Sequence, residues 1–251
     1  HVGRMGRGLY MRDWKKEFEE RTAWLNDMLA ESGTEGFVFG NSGGKDSALV
    51  GILCRSVTEN TLGVIMPCES VRNYREDRAD ALKVAAQFGI ATKTVDITSV
   101  KKSLITALGG LNHVSDQAAI NINPRLRMTV LYAVAQSMNR LVVGTGNRSE
   151  ITMGYFTKWG DGAFDINPVS DLTATEILDF LRYLDAPPSV INKAPSAGLR
   201  EGQTDEADMG VTYAELDSYL LEGKASPQAI EIINHANQRT QHKRTPSKTF
   251  K

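Results

Sequence analysis

Apolar positions along the chain alternate between a helical rhythm and short continuous runs. Residues 11–31 set Trp14, Phe18, Trp24, Leu25, Met28 and Leu29 among charges at helical spacing, and Ser32-Gly33 ends the run. Phe37–Phe39 are bulky and of strand type and set a strand at 36–40, and 45–57 carry enough apolar residues for one face of a buried helix. A second strand is expected at Leu62–Met66, closed by Pro67, followed by a helix from about 74 to 88 ended by Gly89. Ala91–Ile97 reads as a third strand, helices follow around 99–108 and 124–138, and Leu141-Val142-Val143 is a fourth strand running into Gly144-Thr145-Gly146.

Strands that alternate with helices imply right-handed crossovers and a doubly wound parallel α/β sheet with helices on both faces. Ligands in such sheets bind beyond the carboxyl ends of the strands. The polar loops Gly40-Asn41-Ser42 and Gly144-Thr145-Gly146 both lie at that edge, so they are expected to converge on one crevice.

With 251 residues the chain is long enough for a full core, and residues 11–251 read as a single domain. The opening His1–Gly8 resembles a remnant of an expression vector, which puts the native start at Met5 or Met11. Lys plus Arg number 29 against 30 Asp plus Glu, a balance that leaves no global basic field to collect nucleic acid. No run reaches the roughly 20 apolar residues that span a bilayer, so no membrane partner is expected. The two cysteines, Cys54 and Cys68, have no zinc or Cys-x-x-Cys spacing and fit a reduced, cytoplasmic setting.

The most informative stretch is Phe37–Ser47, "FVFGNSGGKDS": strand, glycine-rich loop, helix. Ser42, Gly43 and Gly44 can turn backbone N–H groups toward an anion that also meets the positive end of the helix dipole. A Walker A loop is excluded, because Phe39 stands where its first glycine should be and Asp46 where Ser or Thr should be. Ser-Gly-Gly-x-Asp-Ser resembles instead the loop of the N-type ATP pyrophosphatases, which cleave ATP between its α and β phosphates. The plain alternative is a tight turn made by two glycines. Asp46 weighs against it, since a carboxylate beside a phosphate site is repulsive unless a divalent metal lies between them.

After the fourth strand comes "GTGNRSEITMGYFTKWGDGAFDINPVSDL", in which Thr145, Arg148, Glu150, Lys158, Asp161 and Asp165 are interleaved with Tyr155, Phe156, Trp159 and Phe164. A merely solvated loop rarely carries so many aromatics. Together with "GNSGGKDS", "NINPRLRM" at 121–128, "KAPSAGLREGQTDEADMGVTY" at 193–213 and "HKRTPS" at 242–247, these blocks resemble the ammonia-dependent NAD synthetases over nearly the whole chain after the first helix.

That resemblance implies an adenine nucleotide α-hydrolase-like fold and a reaction in which nicotinic acid adenine dinucleotide (deamido-NAD), ATP and ammonia give NAD, AMP and pyrophosphate through an adenylated carboxylate. By the same resemblance Gly40, Asn41, Ser42, Gly43, Gly44, Lys45, Asp46 and Ser47 would hold the ATP phosphates, and Thr145 and Ser196 would contact ATP. Asp46 and Glu150 would bind Mg2+. Arg125, Lys158, Asp165, His242 and Lys243 would hold deamido-NAD, and Asp161 would bind ammonium and help deprotonate it. Lys158 would also offset charge on the departing pyrophosphate.

Two positions depart from the family pattern: Lys45 replaces a residue commonly aliphatic, and Ala174 replaces a lysine that reaches the phosphates. Either Lys45 supplies the missing charge from another direction, or it extends into solvent from the first helical turn. Other residues also have plain alternatives. Arg125 and Arg127 would be surface arginines after Pro124 at a first helical position, and His242 and Lys243 would belong to a frayed tail. Competing functions are a tRNA-modifying ATP pyrophosphatase, favoured by the spelling "SGGKDS", and a non-catalytic nucleotide-binding module, which would not need Glu150, Lys158 or Asp161. The acidic segment Glu201–Met209 is expected to close over the substrates. The helix at 124–138 has more apolar residues than one buried stripe needs, which with the resemblance suggests a homodimer.

Overall fold

The computed structural model describes residues 12–68, 72–111, 113–193 and 204–250. Strands β1 (Gly36–Gly40), β2 (Thr61–Ile65), β3 (Ala91–Thr94) and β4 (Arg140–Val143) pair in parallel in the order β3-β2-β1-β4. The chain winds from β1 outward through β2 to β3, then returns to lay β4 on the other side of β1. The direction of winding therefore reverses between β1 and β4, and the crevice beyond their carboxyl ends is where such sheets take ligands.

Side-chain alternation along β1 divides the core. Phe37 and Phe39 point into a cluster with Leu25 of helix α1 (Trp14–Ser32), Leu49 and Leu53 of α2 (Lys45–Val57), and Val84 of α3 (Arg72–Phe88). Val38 points to the opposite face, with Val64, Val142 and Ala135; helix α4 (Thr98–Leu108) precedes α5 (Asp116–Ser137), which carries Ala135 and covers that face. After β4 come α6 (Arg148–Met153), α7 (Ala174–Tyr183), α8 (Pro188–Ile191), α9 (Asp205–Met209), α10 (Tyr213–Glu222), α11 (Pro227–Arg239) and a 3-10 turn at Gln241–Lys243. Met153, Met209, Tyr213, Leu216 and Ile233 form a smaller cluster of their own among these elements.

Helix α1 begins later than expected, because Asp13 caps it by accepting from the N–H groups of Lys15 and Lys16, and it ends as expected at Gly33, with φ of 67°. Strand β3 is shorter than the apolar run implied. It is an edge strand with mostly exposed side chains, and Asp96 Oδ1 accepts from Thr98 N at 2.8 Å to start α4.

The larger correction concerns α5, expected over 124–138 with Pro124 in its first turn. The helix starts at Asp116, capped by Ser115, and Pro124 lies in its interior. A proline there leaves the carbonyl one turn earlier without its helical N–H. Pro124 is buried, and any side chain at Gly160 would press on it, so the helix meets the loop holding Lys158 and Asp161 at this point. Both cysteines are buried thiols outside any disulfide, and burial pushes the Cys54 thiol well above its usual range.

Candidate active site

The loop after β1 is built to face an anion. Asn41 is anchored by its N–H to Val64 O at 2.9 Å, Ser42 Oγ and Ser47 Oγ lie 3.1 Å apart, and Gly44 N donates to Ser42 Oγ at 3.3 Å. Gly43 has φ of 78°, and a Cβ there would run into the carbonyl oxygen of Asp77 on α3, so no other residue fits. Gly44 occupies the N-cap of α2 with no side chain to cap the helix, which leaves the start of a 13-residue helix to an anion.

The loop after β4 arrives beside it, as the sheet order requires. Gly144 is overlain by the Phe164 ring where a Cβ would stand, and Thr145 follows it at the crevice. Asn147 is fully buried and joins the two loops: its Nδ2 donates to Asp46 Oδ1 at 2.9 Å, its Oδ1 accepts from Glu150 N at 3.0 Å, and its N–H donates to Glu150 Oε2 at 3.2 Å. The last two bonds form a capping box that starts α6 and fixes Glu150 beside Asp46.

Lys45 is buried rather than solvent-directed, with 8 % exposure. Its Nζ donates to Asp46 Oδ2 at 2.6 Å and lies 5.5 Å from the centre of the Tyr213 ring. Burial alone would lower its pKa, but Asp46 and Glu150 more than reverse that and hold it above the usual lysine value. Burial, with repulsion from Asp46, raises the Glu150 carboxyl above the usual carboxylate range.

Ala174 is sealed at the start of α7, where its N–H donates to Ser149 Oγ at 3.1 Å. Ser149 Oγ in turn donates to Asp217 Oδ1 at 2.5 Å, and Thr175 N donates to Asp217 Oδ2 at 2.7 Å. Tyr213 OH donates to Asp205 Oδ2 at 3.3 Å.

A second group gathers at the other end of α6. Lys243 Nζ donates to Gly154 O and Phe156 O, both at 2.7 Å, and Lys158 Nζ donates to His242 O at 2.7 Å. Arg244 adds bonds to Ile151 O at 2.9 Å and to Asn237 O. The C-terminal segment is thus tied to the loop after α6, which overturns the frayed tail. Burial lowers the Lys243 ammonium, opposed only in part by Asp161.

Arg125 donates to Lys158 O at 3.3 Å while remaining exposed, and Arg127 is no free surface arginine, since its Nε donates to Met66 O at 3.1 Å. Asp161 Oδ1 accepts Thr157 N at 2.8 Å, with Lys243 and Arg127 as charged neighbours. Asp165 serves the scaffold: Oδ2 accepts Val142 N at 2.7 Å and Oδ1 accepts from Tyr132 OH at 3.1 Å. Ser196 lies outside the described residues, as do residues 201–203 of the expected closing segment. The rest of that segment is α9, capped by Thr204 and anchored by buried Met209.

The sequence model of the NAD synthase family matches residues 17–248. The chain belongs to that family. It is 43% identical over 235 residues to the NH(3)-dependent NAD(+) synthetase of Carboxydothermus hydrogenoformans, an alignment covering 92% of this chain and 96% of that one. Among solved structures it is similar to an NMN synthetase from Francisella tularensis, with TM-score 0.90 and 38% identity over 95% of this chain and 99% of that one. It is also similar to an NH3-dependent NAD synthetase from Campylobacter jejuni, with TM-score 0.79 and 28% identity over 96% and 100% of the two chains.

Asn147, Tyr213 and Asp217 join the site without having been singled out in the sequence. Asn147 had a signal, since Asn-x-x-Glu at 147–150 directly after a strand is a capping-box spelling. Tyr213 and Asp217 had none beyond their i,i+4 spacing on one helix.

Proposed function

We propose that the chain amidates the nicotinate carboxylate of deamido-NAD with ammonia, using ATP and releasing NAD, AMP and pyrophosphate. The observation that carries this reading is the junction at Asn147, which sets the phosphate-loop carboxylate Asp46 beside Glu150 in a protein of the NAD synthase family.

A carboxylate is a poor acyl donor, because oxide would have to leave. It attacks the α-phosphorus of ATP, and the new P–O bond forms as the bond to pyrophosphate breaks. Ammonia then attacks the acyl carbon of this mixed anhydride, AMP leaves, and a proton is lost from nitrogen. The N–H groups of Ser42 to Gly44 and the start of α2 meet the phosphates, with Gly40, Asn41, Lys45, Ser47, Thr145 and Ser196 completing the ATP site.

Asp46 and Glu150 are hard oxygen donors, as Mg2+ requires. Among the described residues no group of three His, Cys, Asp or Glu offers a complete site, which suits an ion that shares its coordination with phosphate oxygens and water. When bound, Mg2+ would neutralise charge on the phosphates as pyrophosphate departs.

Arg125, Lys158, His242 and Lys243 form the dinucleotide end. Trp159, in a left-handed conformation with φ of 62° and 55% exposed, carries Lys158 Nζ at 5.3 Å from its ring and gives that end a flat apolar surface. Asp165 borders this end, and its bonds to Val142 N and Tyr132 OH support a part in shaping β4 and α5 behind the dinucleotide surface. Asp161 attracts ammonium and accepts its proton. The homodimer reading rests on α5 and its C-cap, where Met138 is 42% exposed and Leu126 and Met128 are only half-buried beside Arg125.

A second reading concerns the size of the substrate. The Francisella tularensis structure, named an NMN synthetase, is similar at the higher TM-score, so amidation of nicotinic acid mononucleotide is the competing activity. Measuring kcat/KM for the dinucleotide and the mononucleotide on the purified protein decides between them. A preference of at least about tenfold for the dinucleotide is expected, and a preference for the mononucleotide would transfer the assignment to NMN synthesis.

A further inference from the structure

The geometry points to Lys45 as a tethered cation that holds the Asp46–Glu150 basin in the nucleotide-free protein and yields it when a divalent ion enters together with ATP. This inference rests on the reading of Asp46 and Glu150 as metal ligands.

Lys45 is a buried residue of the phosphate loop, and its ammonium is engaged by the carboxylate that a metal would need. Nζ sits 2.6 Å from Asp46 Oδ2, while Asn147 Nδ2 holds the other oxygen at 2.9 Å. A metal approaching the free protein must break a short, buried ion pair and leave an ammonium without its anion, an unfavourable exchange. Bound triphosphate changes the balance, because it offers Nζ a new anionic partner.

The side chain already reaches toward the start of α7. Nζ lies over Tyr213, which shares a cluster with Ala174, and Asp217, bonded to Thr175 N, feels the charge of Lys45. Position 174 offers only a methyl group there, so Lys45 is the residue placed to meet the phosphates from that side. Metal and nucleotide therefore bind with positive coupling, each favouring the other by the same factor.

Mn2+ titrations followed by electron paramagnetic resonance test this, with and without a non-hydrolysable ATP analogue, counting Mn2+ held beyond what the free analogue binds. Wild-type protein should bind Mn2+ about tenfold or more tightly with the analogue than without it. Lys45→Met should bind Mn2+ without nucleotide about tenfold more tightly than wild type, and should lose most of the coupling. Lys45→Arg, which keeps a cation in place, should stay close to wild type, and far-UV circular dichroism confirms that each variant is folded.

Equal Mn2+ affinity of nucleotide-free Lys45→Met and wild type would overturn the inference while leaving the metal site standing. Unchanged analogue-dependent binding in Asp46→Asn would remove the metal assignment itself, and the inference with it.

Discussion

Asp46 and Glu150 are polar groups at a crevice and not members of the apolar core, so their amides should change chemistry more than folding. Asp46→Asn and Glu150→Gln are each expected to lower the rate of pyrophosphate release at saturating Mg2+ by about a hundredfold or more, with a melting temperature near wild type for Glu150→Gln and a lower one for Asp46→Asn, which leaves the buried Lys45 ammonium without its anion. Near-wild-type release by either variant would remove it from the site. Gly43 carries a different constraint. Alanine there would be forced into a left-handed conformation costing about 1–2 kcal/mol, and its Cβ would push against the Asp77 carbonyl. Gly43→Ala is expected to lower the melting temperature and to weaken ATP binding, read by calorimetry on the folded fraction. The glycines and Asp46 were legible in the sequence because backbone freedom and a misplaced carboxylate leave marks in the spelling. The burial of Lys45 was not, since a lysine in a first helical turn has the same spelling whether it turns inward or outward.

At the scale of elements, apolar runs found β1, β2, β4 and the crevice between β1 and β4, because parallel strands buried on both faces read as continuous apolar segments, while the mostly exposed edge strand β3 was found but drawn too long. They misplaced the start of α5, where a proline usually placed in a first turn lies mid-helix to meet the loop at Gly160. They also left α6 to α11 unparsed, as short amphipathic helices with polar links give weak periodicity. Charge joins the first helix to the segment before α7 and to α7 itself: Arg21 of α1, held by Glu17 of the same helix at 2.6 Å, reaches Asp171 at 2.6 Å, and Arg12, just before α1, reaches Glu176 of α7 at 2.7 Å. Burial would raise the Asp171 carboxyl, but Arg21 and Arg12 outweigh it and hold the group below the usual range. A depressed folded-state pKa stabilises above the unfolded value of about 4 and ceases to do so as pH falls through the folded value. Asp171→Asn should therefore lower the melting temperature by at most about 3 °C at neutral pH, and the gap to wild type should close as acidification carries the solution below the depressed folded-state range of this carboxyl. A gap that persists in acid would mean that the carboxylate charge is not what joins these elements.

For the whole molecule, α5 covers one face of the sheet with Ala135, Val130 and Val134 while its other side keeps apolar side chains partly exposed. If a second copy covers that side, Met128→Glu should dissociate the assembly in light scattering and weaken dinucleotide binding about tenfold or more, with ATP binding less affected. A fully active wild-type monomer at assay concentration would contradict the dimer. The two ends of α6 explain why loops far apart in sequence act together: its N-terminus carries Asn147 and Glu150 beside the phosphate loop, and its C-terminal Gly154 receives Lys243 from the chain's end. The amidation reaction is tested most directly by incubating purified protein with ATP, Mg2+, deamido-NAD and isotopically labelled ammonium, and following products by mass spectrometry. It predicts NAD, AMP and pyrophosphate in equal amounts, with the label in the nicotinamide amide. ATP cleaved to ADP and phosphate, or NAD formed without the label, would contradict it.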